Sequence, residues 1–167
     1  MATGKRAKAG ARRYWLFKSE PEAYGFEQFR RDRRTFWHGV RNYEARNLLR
    51  DQIQVGDGVL FYHSNAKPMA VVGVAKVVKA GYPDHTAFEP THAYHDPDSD
   101  PSDPTWFMVD IECVGPMATA VTREAMKQEP ALADMMLLRP GSRLSVQPVT
   151  ASEWRAILAL GGHEESW

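Results

Sequence analysis

Four short segments of this 167-residue chain hold the polar and aromatic residues best suited to chemistry. They are Lys18-Ser19, Trp37-His38-Gly39-Val40-Arg41-Asn42, Tyr62-His63-Ser64-Asn65 and Arg143-Leu144-Ser145. Each lies where a predicted strand ends or a predicted element begins. Rigid strands holding adaptable ends are where small barrels place ligand sites. The residue types suit a planar guest. An aromatic ring stacks on a base for about 1–3 kcal/mol. Ser and Asn side chains and loop backbone groups read a hydrogen-bonding edge. Arg and Lys hold flanking phosphates. Each residue also has a plain structural use: Trp37 as core or rim packing, Tyr62 as cover for the barrel end, Asn42 as a helix cap, Ser19 as a turn, Arg41 in a surface ion pair. The spacing alone does not select a base over another flat ligand.

Other chemistries fit less well. Gly56-Asp57-Gly58 lacks the lysine and spacing of a phosphate-binding loop. A Gly-x-Ser-x-Gly elbow is absent from the sequence. Cys113 falls mid-strand on an apolar face and reads as a small core residue. His63 and Ser64 are adjacent, and neighbours on a strand point to opposite faces. His92-x-x-His95 with Asp96 and Asp98 offers nitrogen and oxygen ligands. It has no cysteine and no second cluster, and it suits a solvated loop equally well. No metal, cofactor or catalytic residue is therefore expected. Two rival readings stand beside a binding module: a metal-dependent nucleotide or nucleic-acid hydrolase using His92, His95 and Asp96, and a receptor for a small planar metabolite or a protein partner.

Charge narrows the partner. The chain holds 21 basic and 21 acidic residues. Lys5, Arg6, Lys8, Arg12 and Arg13 crowd its start, leaving 16 basic against 21 acidic side chains elsewhere. From Ala80 to Thr122 there are eight acids and no Lys or Arg. A domain that grips duplex DNA over a broad surface is normally basic. Here a local pocket must supply the affinity, with Arg12, Arg13, Arg46 and Arg143 as candidate phosphate contacts. Residues 1–12 read as a basic disordered tail, and 13–167 as one domain. No apolar stretch reaches the roughly 20 residues of a membrane span, and no signal-peptide core is seen. The expectation is a soluble, cytoplasmic protein without a membrane partner.

The elements that must position these residues follow from pattern. Tyr14-Trp15-Leu16-Phe17 is a strand. A short helix is expected around Pro21–Arg30, weakened by Gly25. Asn42 caps a helix with Ala45, Leu48 and Leu49 as its apolar stripe. Val59–Tyr62 and Met69–Val78 are strands, the second interrupted at Gly73 by a bulge or a close approach. Residues 81–105 hold five of the eleven prolines and read as a long irregular loop. Trp106 to Val114 alternates as a half-buried strand. Helical turns are expected at Thr122–Gln128 and Pro130–Met136. Arg143 to Val149 is a last strand, and Thr150 to Glu153 is a capping box opening a final helix. Five or six short strands with tucked helices favour a small, partly open barrel over a doubly wound sheet.

Several of these segments together are distinctive. Tyr14-Trp-Leu-Phe-Lys-Ser-Glu-Pro21, Trp37-His-Gly-Val-Arg-Asn-Tyr-Glu-Ala-Arg-Asn47, Phe61-Tyr-His-Ser-Asn65 after Gly56-Asp57, and Val72-Gly-Val-Ala75 closely resemble the EVE domain family. The stretch from Tyr82-Pro-Asp84 to Tyr94-His-Asp-Pro97, with Trp106 and Val109-Asp110 behind it, carries the same resemblance. It implies an α+β fold: a PUA-like small mixed β-barrel of five to six strands flanked by short helices, related in shape to YTH and ASCH domains. It also implies a non-catalytic reader of a flipped, methylated or hydroxymethylated base in DNA or RNA. By that resemblance Lys18, Ser19, Trp37, Val40, Arg41, Asn42, Tyr62, His63, Ser64, Asn65, Leu144 and Ser145 would line the pocket.

Overall fold

Consecutive residues Trp15, Leu16 and Phe17 are all fully buried. A strand with no polar face must have both sides covered, and that condition organises the fold. In a computed structural model describing residues 11–165, the first strand β1 (Tyr14–Ser19) lies inside a single six-stranded sheet. The other strands are β2 (Arg34–Phe36), β3 (Gly58–His63), β4 (Ala70–Pro83), β5 (Phe107–Thr122) and β6 (Val146–Val149). Their order across the sheet is β2-β5-β4-β3-β1-β6. The β1–β3 pair is parallel, and all other neighbours are antiparallel.

Each face carries its own core. Trp15 and Phe17 join Phe26, Phe29, Trp37, Ala45, Leu49 and Phe61 on one side. Leu16 joins Leu60, Tyr62, Val71, Met126, Trp154, Ile157 and Leu158 on the other. The first face is covered by the short helices α1 (Pro21–Tyr24) and α2 (Phe26–Asp32) and by α3 (Tyr43–Asp51). The second is covered by α4 (Arg123–Lys127), by 3-10 turns at Pro130–Leu132 and Met136–Leu138, and by α5 (Ala151–Gly161).

The mixed architecture matches expectation, with one difference: the sheet does not close into a barrel. The end strands β2 and β6 have three and four residues and do not pair with each other. A closed barrel hides one face of each strand inside; here helices cover both faces, so closure is not required. Curvature comes from β4 and β5, whose register shifts four times. Gly73 sits at one shift, opposite Pro116. A Cβ at Gly73 would fall inside the Phe26 ring, which accounts for the interruption seen in the sequence. The same irregularity lets β5 pass through Pro116, eight residues beyond the expected end at Val114.

Other differences are local. The helix expected over Pro21–Arg30 breaks at Gly25 into α1 and α2. β2 is too short and polar to announce itself. β4 continues to Pro83, Trp106 falls just outside β5, and β6 begins at Val146 rather than Arg143. The caps are as read. Asn42 Oδ1 accepts from the Ala45 N–H at 3.0 Å, and Thr150 with Glu153 forms a complete capping box. The tail up to residue 10 lies outside the described residues. Among the described residues no helix is long and apolar enough to cross a membrane.

Candidate functional site

β1 and β3 run parallel, so their C-terminal ends open at the same edge of the sheet. Ser64 N–H donates to the Ser19 carbonyl there at 3.0 Å, and Lys18 N–H donates to the Ser145 carbonyl at 2.8 Å. Against this edge packs the segment after β2, fixed by the Trp37 N–H bond to the Val109 carbonyl (2.7 Å). Between them opens a cleft of about 580 Å³.

Seven expected residues line it: Lys18, Ser19, Trp37, Val40, Arg41, Ser64 and Ser145. Trp37 forms the floor. Only 8% of it is exposed, and its ring meets Phe17, Tyr24 and Phe61 at centroid distances of 5.2, 6.5 and 5.6 Å. It is therefore a supported wall, not a free-standing platform. Its indole N–H differs from those of the other described tryptophans. Trp15, Trp106 and Trp154 each donate to a carboxylate (Asp57, Asp96 and Glu165). Among the described residues Trp37 Nε1 has no acceptor, although the ring is packed on most sides.

The corner from Gly39 to Arg41 is held by a buried carboxylate that sequence reasoning missed. Asp84 is fully buried. Its Oδ2 accepts from Gly39 N–H (2.8 Å) and Arg41 Nη1 (3.0 Å). Its Oδ1 accepts from the Thr86 N–H (2.9 Å) and hydroxyl (2.6 Å). Burial alone pushes its pKa up, but the hydrogen bonds from Thr86, Gly39 and Arg41, with the Arg41 charge, hold it below the ordinary carboxylate value. Arg41 is equally engaged. Besides Asp84 it reaches the carbonyls of Val40 and Tyr94 and the Thr86 hydroxyl, and it sits over the Tyr94 and Trp106 rings. All five guanidinium N–H groups thus have partners. Arg41 shapes the cleft wall and has no donor left for a guest.

Five expected residues do not line the cleft. Asn42 uses its side-chain oxygen as the α3 cap. Tyr62 points to the opposite core with Leu16 and Trp154. His63 Nε2 accepts from the Phe26 N–H at 3.1 Å, which fixes that nitrogen as unprotonated. Asn65 takes a left-handed turn conformation (φ 50°) beyond the strand. Leu144 packs on the first core. The candidate phosphate contacts are absent from the wall too. Arg12 pairs with Glu165 at 3.1 Å, Arg13 binds Gln52 at 2.9 Å and covers Trp15, Arg46 donates to the Thr105 carbonyl, and Arg143 is exposed.

Residues that complete the wall without having been singled out include Tyr24, Phe36, His38, Gly39 and Tyr94. His38 and Gly39 stood within the Trp37–Asn42 segment, whose run of polar and aromatic types was the available signal. Tyr94 arrives from a loop over 50 residues away. Gly39 has φ +81°, and a Cβ there would collide with the Tyr94 ring. Tyr24 is held neutral, its pKa raised to about 12 by burial and by donating to Asp32 at 2.8 Å. Phe36, His38, His92 and Tyr94 contact one another as an aromatic rim.

Several acid–base groups around the cleft are already engaged. Ser19 Oγ donates to the Tyr24 carbonyl at 2.6 Å, so it faces no base. His63 is engaged with the α2 N–H, and Asp84 is saturated. His92 Nδ1 accepts from the Tyr94 N–H, and Asp96 accepts from Trp106 Nε1 and the Asp98 N–H. Among the described residues no three His, Cys, Asp or Glu side chains are grouped to hold a metal. Of the ligand atoms in the loop that carried the hydrolase alternative, His92 Nδ1 and the Asp96 carboxylate are thus already engaged.

His63 has a pH consequence. Burial lowers its pKa from the ordinary value. The folded state then binds fewer protons than the unfolded one below pH of about 6.5, so stability falls as pH falls there. Denaturation at pH 5 and pH 7 is expected to show the loss, and His63→Gln, which keeps an acceptor for Phe26, to reduce it.

Comparison with known proteins places the chain. The EVE domain model matches residues 13–160. Mouse thymocyte nuclear protein 1 is 40% identical over 171 residues, covering 92% of this chain and 75% of that protein. A crystal structure of human THYN1 in complex with 5-methylcytosine-containing DNA matches with TM-score 0.82 and 37% identity, over 92% of this chain and 99% of that one. The YTH domain of Zygosaccharomyces rouxii MRB1, solved in complex with N6-methyladenosine RNA, superposes with TM-score 0.54 at 16% identity, over 95% and 89% of the two chains. That last likeness is one of fold.

Proposed function

Because the chain belongs to the EVE domain family, we propose that it is a non-catalytic module whose cleft receives one extruded, modified nucleobase of a nucleic acid. The observation that carries this reading is Trp37: a packed aromatic floor with an indole N–H left for a guest. The base lies against the indole, which donates to a base nitrogen or oxygen. Ser64 and the backbone at the β1 end read the remaining edge, and Val40 supplies apolar wall. The preformed Asp84–Arg41 corner supports a rigid receptor, and the engaged state of Ser19, His63 and Asp84 supports binding over catalysis. The relatives support the ligand class: human THYN1 was crystallised with 5-methylcytosine DNA. Their name is that of a nuclear protein, so the cytoplasmic expectation draws no support from them.

Burying one methyl contributes about 0.8 kcal/mol, roughly fourfold in affinity. Extrusion costs a few kcal/mol, so an unpaired target binds better than a paired one. The test is fluorescence titration of matched single-stranded oligonucleotides with cytosine or 5-methylcytosine, and N6-methyladenine as a third arm. A preference of about fourfold or more for one modified strand is expected. Equal affinity for all three strands would sink the base-reading proposal.

A further inference from the structure

Period-two alternation separates neighbours at the end of β1. Ser19 shares its face with Phe17 and the Trp37 cleft, whereas Lys18 shares its face with Leu16. On that second face Lys18 stands beside Tyr62 in the β1–β3 register. Ser145 stands on its other side, one residue beyond the Phe17–Val146 pair and bonded to the Lys18 N–H. Tyr62 pairs with Val71, and Val71 with Val121. Two residues later comes Arg123, tied to the same sheet end by its N–H bond to the Met69 carbonyl at 2.9 Å. This sheet end thus brings together an ammonium and two hydroxyls in one row and, two residues past its last member, a guanidinium.

What distinguishes this group is its missing counter-charge. Neither Lys18 nor Arg123 has an ion-pair partner among the described residues, where Arg12, Arg34, Arg41, Arg50, Lys76 and Lys127 all have one. Burial, then the Arg123 charge, lowers the Lys18 pKa, and no acid counters them. Arg123 is likewise the charge that bears on Tyr62, whose hydroxyl has no partner among the described residues although the residue is 2% exposed. Two half-buried cations held together without an acid are destabilising until an anion joins them. An ammonium, an arginine fork and two hydroxyls match the oxygens of a phosphodiester.

We propose that Lys18, Arg123, Tyr62 and Ser145 form a phosphate station that grips the nucleic-acid backbone beside the base held in the Trp37 cleft. The inference rests on the base-reading proposal for the identity of the strand. The two sites flank one strand end, so a chain that puts its base in the cleft passes its neighbouring phosphate over the edge of β1. The station carries no base information; it supplies grip to modified and unmodified strands alike.

The test is affinity as a function of salt, from 50 to 200 mM, for cytosine and 5-methylcytosine single strands. Wild type, Lys18→Gln, Arg123→Gln and Lys18→Arg are compared, with folding checked by circular dichroism. Each Gln variant is expected to lower the slope of log affinity against log salt by about one, equally for both strands. Lys18→Arg is expected to keep it. Inorganic phosphate, the other source of the same chemistry, is expected to compete only at far higher concentration than the strand. Wild-type slopes in both Gln variants, or competition by inorganic phosphate at equal phosphate concentration, would overturn the station. Loss of slope without any methyl preference would leave the station standing and the base reading refuted. No binding of either strand refutes both.

Discussion

Asp84→Ala is expected to remove about 3–5 kcal/mol of folding stability, since breaking a buried ion pair leaves an uncompensated charge. Against a typical total of about 5–15 kcal/mol, that is a large share. The reason lies in how many groups one carboxylate satisfies. Gly39 N–H, Arg41 Nη1 and both Thr86 donors lose their acceptor together. Arg41, 23% exposed in its side chain, keeps its charge without the anion that matched it. Asp84→Asn should fall between, retaining shape while presenting an amide to Arg41. Chemical denaturation measures both; a loss below about 1 kcal/mol in Asp84→Ala would contradict this account of the corner. The pH dependence has a definite sign. The folded pKa is depressed, so the contribution is complete above the unfolded value of about 3.9 and disappears as pH falls through the folded value.

Trp37→Ala carries the second large effect, and it must be separated into packing and recognition. Removing a buried tryptophan from contact with Phe17, Tyr24 and Phe61 costs about 3–5 kcal/mol of stability. The same change removes the cleft floor, so lost binding in this variant alone proves little. Trp37→Phe is the informative partner. It keeps an aromatic ring and most of the apolar volume, and removes the indole N–H with a smaller part of the stacking area. If that N–H bonds the base, the unpaired acceptor left in a desolvated cleft costs about 1–3 kcal/mol, or roughly 5- to 150-fold in affinity. The stability loss should be much smaller than in Trp37→Ala. Unchanged affinity for a modified strand in Trp37→Phe would show that the N–H points at nothing in the complex.

Much of the fold was legible because its signals are local. The unbroken apolar run in β1, the Asn42 and Thr150 caps and the Gly73 interruption each declare themselves within a few residues. β2 was not legible, because three residues ending in an exposed Phe36 carry no period. The length of β5 was hidden by Pro116, which a bulge tolerates and a regular ladder does not. The cleft was legible as segments and not as side chains. Strand ends were the right places, but a strand end has two faces. Ser19 and Phe61 share the Trp37 face; Lys18 and Tyr62 belong to the other, and of these two only Lys18, at the strand end, still borders the cleft. Applying the alternation that identified the strands would have divided them. Asp84 and Tyr94 lay beyond such reasoning, since each meets the corner through pairings more than 40 residues apart.

The segment from Ala80 to Thr122 holds eight acids and no Lys or Arg; Asp84, Asp110 and Glu112 are matched by Arg41, Arg34 and Lys76, and Glu89 meets His85, which leaves Asp96, Asp98, Asp100 and Asp103 in the loop before β5. The unmatched cations Lys18 and Arg123 stand at the sheet end. A chain with equal numbers of acids and bases is thereby polarised. In an encounter with a polyanion, the acidic loop repels and the cationic edge attracts, so the molecule turns before it touches. Neutrality in total charge then weakens long-range capture without making it blind. The approach that survives is the one that brings a strand across the end of β1, where the cleft opens.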